Sequence, residues 1–171
     1  EKDILLVVDS VATLTGTEFK TDEWKIDAVI GGTQKCLSVP TGMAPLTYNE
    51  RVEKILLERK KIEQGLDKDS FNDRMISTNY LDLSQIQEYW SPKRLNHHTE
   101  ATSMLYALRE GLRIIKEESL EERIKRHKYN EKALVEGLEA MGLEIFGEEF
   151  DKVPTVTCVM VPDGVVESEV R

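Results

Sequence analysis

The chain has 171 residues, of which 40% are hydrophobic and 32% charged, the composition of a globular protein able to bury the core of one or two domains. Its formal net charge of -9 excludes a broad electrostatic footprint for nucleic acid or for an anionic membrane surface, so any anionic ligand must be held locally. No apolar run approaches the roughly 20 residues of a membrane span, and the first residues lack the basic, apolar and small order of a signal peptide, so the expected location is cytoplasmic.

In chain order, Ile4-Leu5-Leu6-Val7-Val8 is continuously apolar, which predicts a strand covered on both faces, with Asp9 at its carboxyl end. A second strand is predicted over Asp27 to Ile30, closed by Gly31-Gly32. A third is predicted over Met43 to Tyr48, after the turn residues Pro40 and Gly42. Gly16 and the threonines at 13, 15 and 17 leave no room for a long helix between the first two strands, so the sheet is expected to be mixed rather than a repeated strand-helix-strand array. The first residue is not methionine and the chain stops in a polar stretch, Glu167 to Arg171; an internal piece of a longer protein is expected.

Asn49 is a capping residue, and Val52, Ile55, Leu56 and Ile62 follow at helical spacing until Gly65, a natural stop. Residues 66 to 83 are polar and irregular. Ser84 and Gln87 have the spacing of a capping box for a short helix. A long helix is predicted after Thr99 on the stripe Ala101, Met104, Leu105, Leu108, Leu112 and Ile115. Another is predicted from the capping pair Ser119 and Glu122 through Leu120, Ile124, Leu134, Leu138 and Met141 to Gly142. Leu143 to Phe146 and Thr155 to Val161 read as strands on either side of the Pro154 turn. Cys36 and Cys158 are too few and too far apart for a disulfide framework or a zinc site and are read as reduced, buried thiols.

In open α/β sheets ligands bind beyond the carboxyl ends of strands, which puts Asp9 and the loop after Ile30 where a site is expected. That loop reads Gly31-Gly32-Thr33-Gln34-Lys35-Cys36-Leu37, followed by Pro40 and Gly42. By itself Lys35 reads as a solvated surface lysine. Four motifs in order alter that reading: Val8-Asp9-Ser10-Val11-Ala12; the Gly31 to Leu37 loop with its Pro40 and Gly42; His97-His98-Thr99 leading into Leu105-Tyr106-Ala107-Leu108-Arg109-Glu110; and Pro154-Thr155-Val156-Thr157. Together they cover essentially the whole chain and resemble the class V aminotransferases, in the alanine-glyoxylate and serine-pyruvate branch.

The resemblance implies an α/β fold. Residues 1-118 would be the C-terminal half of the large, cofactor-binding domain of a fold-type I aminotransferase, with a mixed, mostly parallel sheet and helices. Residues 119-171 would begin a small α+β C-terminal domain. It implies pyridoxal 5'-phosphate as cofactor, with Lys35 as the catalytic residue that forms the Schiff base and moves a proton. Asp9 would keep the pyridine nitrogen protonated, so that the ring draws electrons. Val11 would pack on the ring face. Gln34 and Thr99 would hold the phosphate, Thr99 from the neighbouring subunit of a homodimer. A threonine just ahead of a long helix also has an independent anion-binding rationale, since helix N-termini present free N-H groups; a plain N-cap is the simpler reading. His97 and His98 are read as shaping the start of that helix, without a metal.

Relatives acting on alanine carry a tyrosine where this chain has Asn96. Asparagine offers two donors and an acceptor, suited to an amide or ureido group. The stretches Leu95 to Ala107 and Gly32 to Pro40 resemble the ureidoglycine-glyoxylate aminotransferases of bacterial purine breakdown. They imply a ping-pong cycle that moves the amino group of ureidoglycine onto glyoxylate, giving glycine and an oxalurate-type keto product. Asn96 would read the ureido end in the neighbouring subunit's site, or be an ordinary loop asparagine. The alternatives are an alanine- or serine-glyoxylate aminotransferase, a cysteine desulfurase, or a folded but catalytically silent piece. In the family, a phosphate-cradling glycine turn and a ring-stacking aromatic precede this segment, and a carboxylate-clamping arginine follows it. The chain alone is therefore expected to bind the cofactor weakly or not at all and to be inactive, whereas the whole protein is expected to be an enzyme.

Overall fold

The computed structural model describes residues 4-63 and 78-170. Gly65, the side chain of Ile62 and the first part of the irregular stretch after it lie outside the described residues. Three strands, β1 (Val7–Asp9), β2 (Ala28–Ile30) and β3 (Leu46–Tyr48), form one sheet in the order β1-β2-β3. Along β1 and β2 the hydrogen bonds advance together, from Asp27 N-H to Leu6 O and then Ser10 N-H to Ile30 O. Between β2 and β3 they run in opposition, from Asn49 N-H to Asp27 O and then Gly31 N-H to Pro45 O. The first pair is therefore parallel and the second antiparallel, the mixed sheet expected.

Four longer helices follow: α1 (Glu50–Glu63), α2 (Leu83–Trp90), α3 (Thr102–Glu118) and α4 (Leu120–Ala140). After them come a 3-10 turn at Glu149–Asp151 and a short helix, α5 (Glu167–Val170). The chain divides into two compact units.

The first unit holds Glu1–Val8, Thr21–Val29 and Leu46–Thr102. Its anchor is Asp27, only 2% exposed. Its carboxylate accepts from Leu6 N-H at 2.7 Å and from the Asn49 amide and the Arg51 guanidinium at 2.8 Å each, so one buried charge ties the strand start to the helix start. Asn49 caps α1 as predicted, its Oδ1 taking the N-H groups of Arg51 and Val52. The cap of α2 differs from expectation. Asp82, rather than Ser84, accepts from Ser84 N and Ser84 Oγ at 2.8 and 2.7 Å, because an ionised carboxylate is the stronger acceptor. The two helices are joined by Gln87 donating to Glu53 and by the Lys60 and Glu88 ion pair.

The second unit holds Asp9–Lys20, Ile30–Pro45 and Ser103–Arg171. Leu37, Val39 and Ile115 form its core, with Leu14, Ala107 and Leu108 packed around them. Ser119 caps α4 by accepting from Glu122 N-H, as predicted. The predicted strands over 143-146 and 155-161 are reduced to a single antiparallel bridge between Ile145 and Val159.

Several burial expectations are corrected. Ile4, Leu6 and Val7 are more than half exposed, on and just before β1, which is an edge strand. Along α4 the expected stripe is largely in water, Met141 at 75% exposure, and the buried residue of that helix is Arg123. Cys36 is partly buried, but Cys158 is exposed.

Candidate active site

The Lys35 loop is built from both directions. Thr33, fully buried, donates through Oγ1 to Pro40 O at 2.8 Å, while Val39 N-H donates to Thr33 O at 3.0 Å. The loop is thereby closed across its base. Ser38 N-H donates to Lys35 O at 2.8 Å, making the tight turn on which the exposed Lys35 stands. Two glycines let neighbours come close. A Cβ on Gly16 would lie 2.6 Å from Cys36 Sγ, and one on Gly111 would lie 2.4 Å from Val39 Cγ2 and 3.1 Å from Leu37 O.

Gly32 supplies the most informative geometry. A Cβ there would sit 2.8 Å from Val11 Cγ1 and 3.2 Å from Gln34 Oε1. Only glycine leaves that room. An apolar side chain and an amide thus both lie against bare backbone three residues before Lys35, and this cradle fits the ring-face and phosphate contacts that the resemblance implies for Val11 and Gln34. Asp9 ends β1 as expected; its Oδ1 accepts from Val11 N-H at 2.8 Å, which couples the direction of the carboxylate to the position of Val11.

Asn96 and Thr99 belong to the first unit, and both are exposed. Asn96 lines a polar recess of about 360 Å³ with Lys60, Ser84, Gln85, Glu88 and His97. Thr99 stands outside α3, whose first residue is Thr102, so it does not cap that helix; Glu100 O instead accepts from Thr102 N-H at 2.9 Å. His97 and His98 face each other through their Nδ1 atoms at 2.8 Å, and His97 Nε2 meets Asn79 O at 2.7 Å. Among the described residues no group of three or more His, Cys, Asp or Glu could hold a metal ion, and no helix is long and apolar enough to cross a membrane.

Burial pushes the Cys36 thiol up, against the opposing pull of the Arg123 and Lys35 charges. It remains a thiol that donates to Ala12 O at 3.3 Å, the behaviour of a packing residue rather than a nucleophile. Two residues to which sequence reasoning gave no role complete the loop: Thr33 and Arg123. Arg123 is 4% exposed and bonded to Cys36 O, Ser38 Oγ and Glu118. A basic residue three positions after Leu120, on the predicted inner stripe, was the one available signal.

A mixed α/β sheet whose carboxyl-end loops present a carboxylate, an exposed amine and a glycine-backed cradle can hold a small anionic ligand beside a reactive nitrogen. Residues 1–170 match the family Aminotransferase class-V, and the chain belongs to that family. It is 57% identical to the (S)-ureidoglycine--glyoxylate transaminase of Bacillus subtilis, over 99% of this chain and 42% of that protein. The crystal structure of the Bacillus subtilis ureidoglycine-glyoxylate aminotransferase superposes with a TM-score of 0.85 at 56% identity, covering 99% of this chain and 40% of that one. The alanine--glyoxylate aminotransferase of Nostoc sp. superposes with a TM-score of 0.82 at 34% identity, covering 97% and 41%. The alanine--glyoxylate aminotransferase of Drosophila melanogaster is 36% identical over 95% of this chain and 39% of its own length. The chain thus spans about two fifths of the length of the relatives it matches.

Proposed function

We propose that this chain is part of a pyridoxal-phosphate-dependent aminotransferase that moves an amino group to glyoxylate, with ureidoglycine as the donor. The observation that carries the reading is the Gly32 cradle, in which Val11 and Gln34 converge beside Lys35. When bound, the cofactor supplies a carbonyl that takes up an amino group and a ring that accepts electron density. Lys35 Nζ would hold the cofactor and move a proton to and from the substrate carbon. Asp9, its carboxylate oriented by Val11 N-H, would keep the ring nitrogen protonated. Val11 would pack on the ring, and the Gln34 amide would donate to the phosphate.

Asn96 and Thr99, both exposed, reach the site of a neighbouring subunit in a homodimer, where Thr99 adds a phosphate donor and Asn96 reads the ureido group. The large domain ends at residue 118, and Ser119, the cap of α4, begins the small one. The enzyme acts in the cytoplasm, in purine catabolism. The test uses the intact protein with glyoxylate as acceptor. Glycine should form faster with ureidoglycine than with alanine as donor, and Asn96→Tyr should move that preference toward alanine. A wild-type protein that prefers alanine overturns the donor assignment; an unchanged preference in the variant overturns the role of Asn96.

A further inference from the structure

We propose that Arg123 is a positioning residue for Lys35: reaching over from α4, it holds the turn carrying the lysine in one conformation and so sets where the amine points. This rests on the reading of Lys35 as the reactive amine. All the residues concerned lie in the second unit.

Arginine is almost never buried unless paired, and the pairing of Arg123 is specific. One terminal nitrogen donates to both Cys36 O and Ser38 Oγ, the latter at 2.9 Å, and the other donates to Glu118 Oε2 at 2.9 Å. The first two acceptors stand one and three residues after Lys35. Ser38 has φ of +60°, a left-handed conformation that a residue with a Cβ keeps only where its surroundings enforce it. The planar guanidinium provides that enforcement by bonding the serine hydroxyl and the carbonyl two residues earlier at the same time. Hydrophobic packing fixes the far side of the turn, where Leu37 and Val39 are buried. The Cys36 carbonyl and the Ser38 hydroxyl face Arg123.

The guanidinium is itself held. Glu118 accepts from Arg126 through Nε at 2.5 Å and Nη2 at 3.0 Å. Hydrogen bonds from Arg126, and then from Arg123, pull the Glu118 carboxyl down to about 2 against the effect of burial, so it stays ionised throughout the working pH range. Arg126, Glu118 and Arg123 form a relay from the surface of α4 to the backbone of the Lys35 turn.

The experiment uses the intact enzyme and its cofactor-free form. Arg123→Met keeps the side-chain length and removes every donor. It should lower kcat by about 100-fold, the scale of a misplacement of about 1 Å, with little change in KM for the amino donor. In the cofactor-free protein, amide hydrogen exchange at Ser38 and Val39 should rise about tenfold, the equivalent of roughly one lost hydrogen bond, while the amides of α3 keep their protection. Ser38→Gly added to Arg123→Met should recover most of the lost kcat, because glycine adopts the left-handed conformation unaided.

Unchanged exchange at Ser38 and Val39 would overturn the proposal. So would exchange rising evenly across α3 and α4 with no recovery from Ser38→Gly, since that describes a helix-docking role only. Should Arg123→Met fail to fold, Arg123→Lys decides the matter: one remaining donor predicts exchange and kcat between wild type and the expected loss, and wild-type values for both refute it. Failure of the Lys35 reading is separately visible as a Lys35→Ala enzyme that keeps its kcat, an outcome on which the exchange measurements do not depend.

Discussion

Asp27 concentrates much of the first unit's polar chemistry on one carboxylate. The Leu6 N-H and the Asn49 amide hold its carboxyl below the usual range, and the Arg51 charge and hydrogen bond add to them against the opposing effect of burial. A carboxyl whose folded value lies below its unfolded value of about 3.9 contributes stability that is fully present above that pH. The contribution is lost as the pH falls through the folded value. Asp27→Asn should therefore lower the denaturant midpoint of the intact protein at neutral pH and flatten its fall below about pH 4; parallel acid limbs in the two proteins would place the titration elsewhere. Asp27 reads in sequence as the first residue of a strand, since its side-chain partners stand 21, 22 and 24 residues away. The placement of Asp9 at the end of β1 and of Lys35 on its turn was legible for the opposite reason: each sits in a short motif whose neighbours define the local backbone.

Among the helices, local signals were read correctly where the decisive contact is local. Asn49 and Ser119 cap α1 and α4, each through an acceptor that reaches two or three residues forward. The start of α3 was misread, because the polar run from Thr99 to Thr102 contains several candidate caps. The apolar stripe of α3 suggested a uniform inner face, whereas bare backbone at Gly111 lies against residues 37 and 39 of the Lys35 loop, with no side chain to mark it. Gly111→Ala would force a methyl group against Val39 Cγ2 and the Leu37 carbonyl. Overpacking of this kind costs about 1–3 kcal/mol, so a lower thermal midpoint is expected for the intact protein, together with faster exchange along residues 37–39. An unchanged midpoint would mean that α3 yields without loss.

Among the described residues much apolar surface lies in water: Ile4, Leu6 and Val7 on and beside an edge strand, and Val156, Met160 and Val161 near the C-terminal bridge, are all exposed. Surfaces of that kind bind other apolar surfaces. Expressed alone, the chain should bind a hydrophobic dye and develop no visible absorption band with pyridoxal phosphate, while the intact protein should develop a band that Lys35→Ala removes. A band from the isolated chain, also removed by Lys35→Ala, would show that the residues present suffice.

What the sequence determined by itself was the family, the mixed sheet, the helix caps at Asn49 and Ser119, and the loop on which Lys35 stands. Caps, turns and apolar spacing are set by residues a few positions apart, and motifs repeat them in order. Only the tertiary structure decided which apolar stripes are buried, that Asp27 and Arg123 are among the charged residues inside, and that a bare backbone at Gly32 lies against both Val11 and Gln34. Those outcomes depend on backbone and side-chain groups far along the chain, such as the carbonyl of Cys36, 87 residues from the arginine that binds it; no local pattern encodes such a distance.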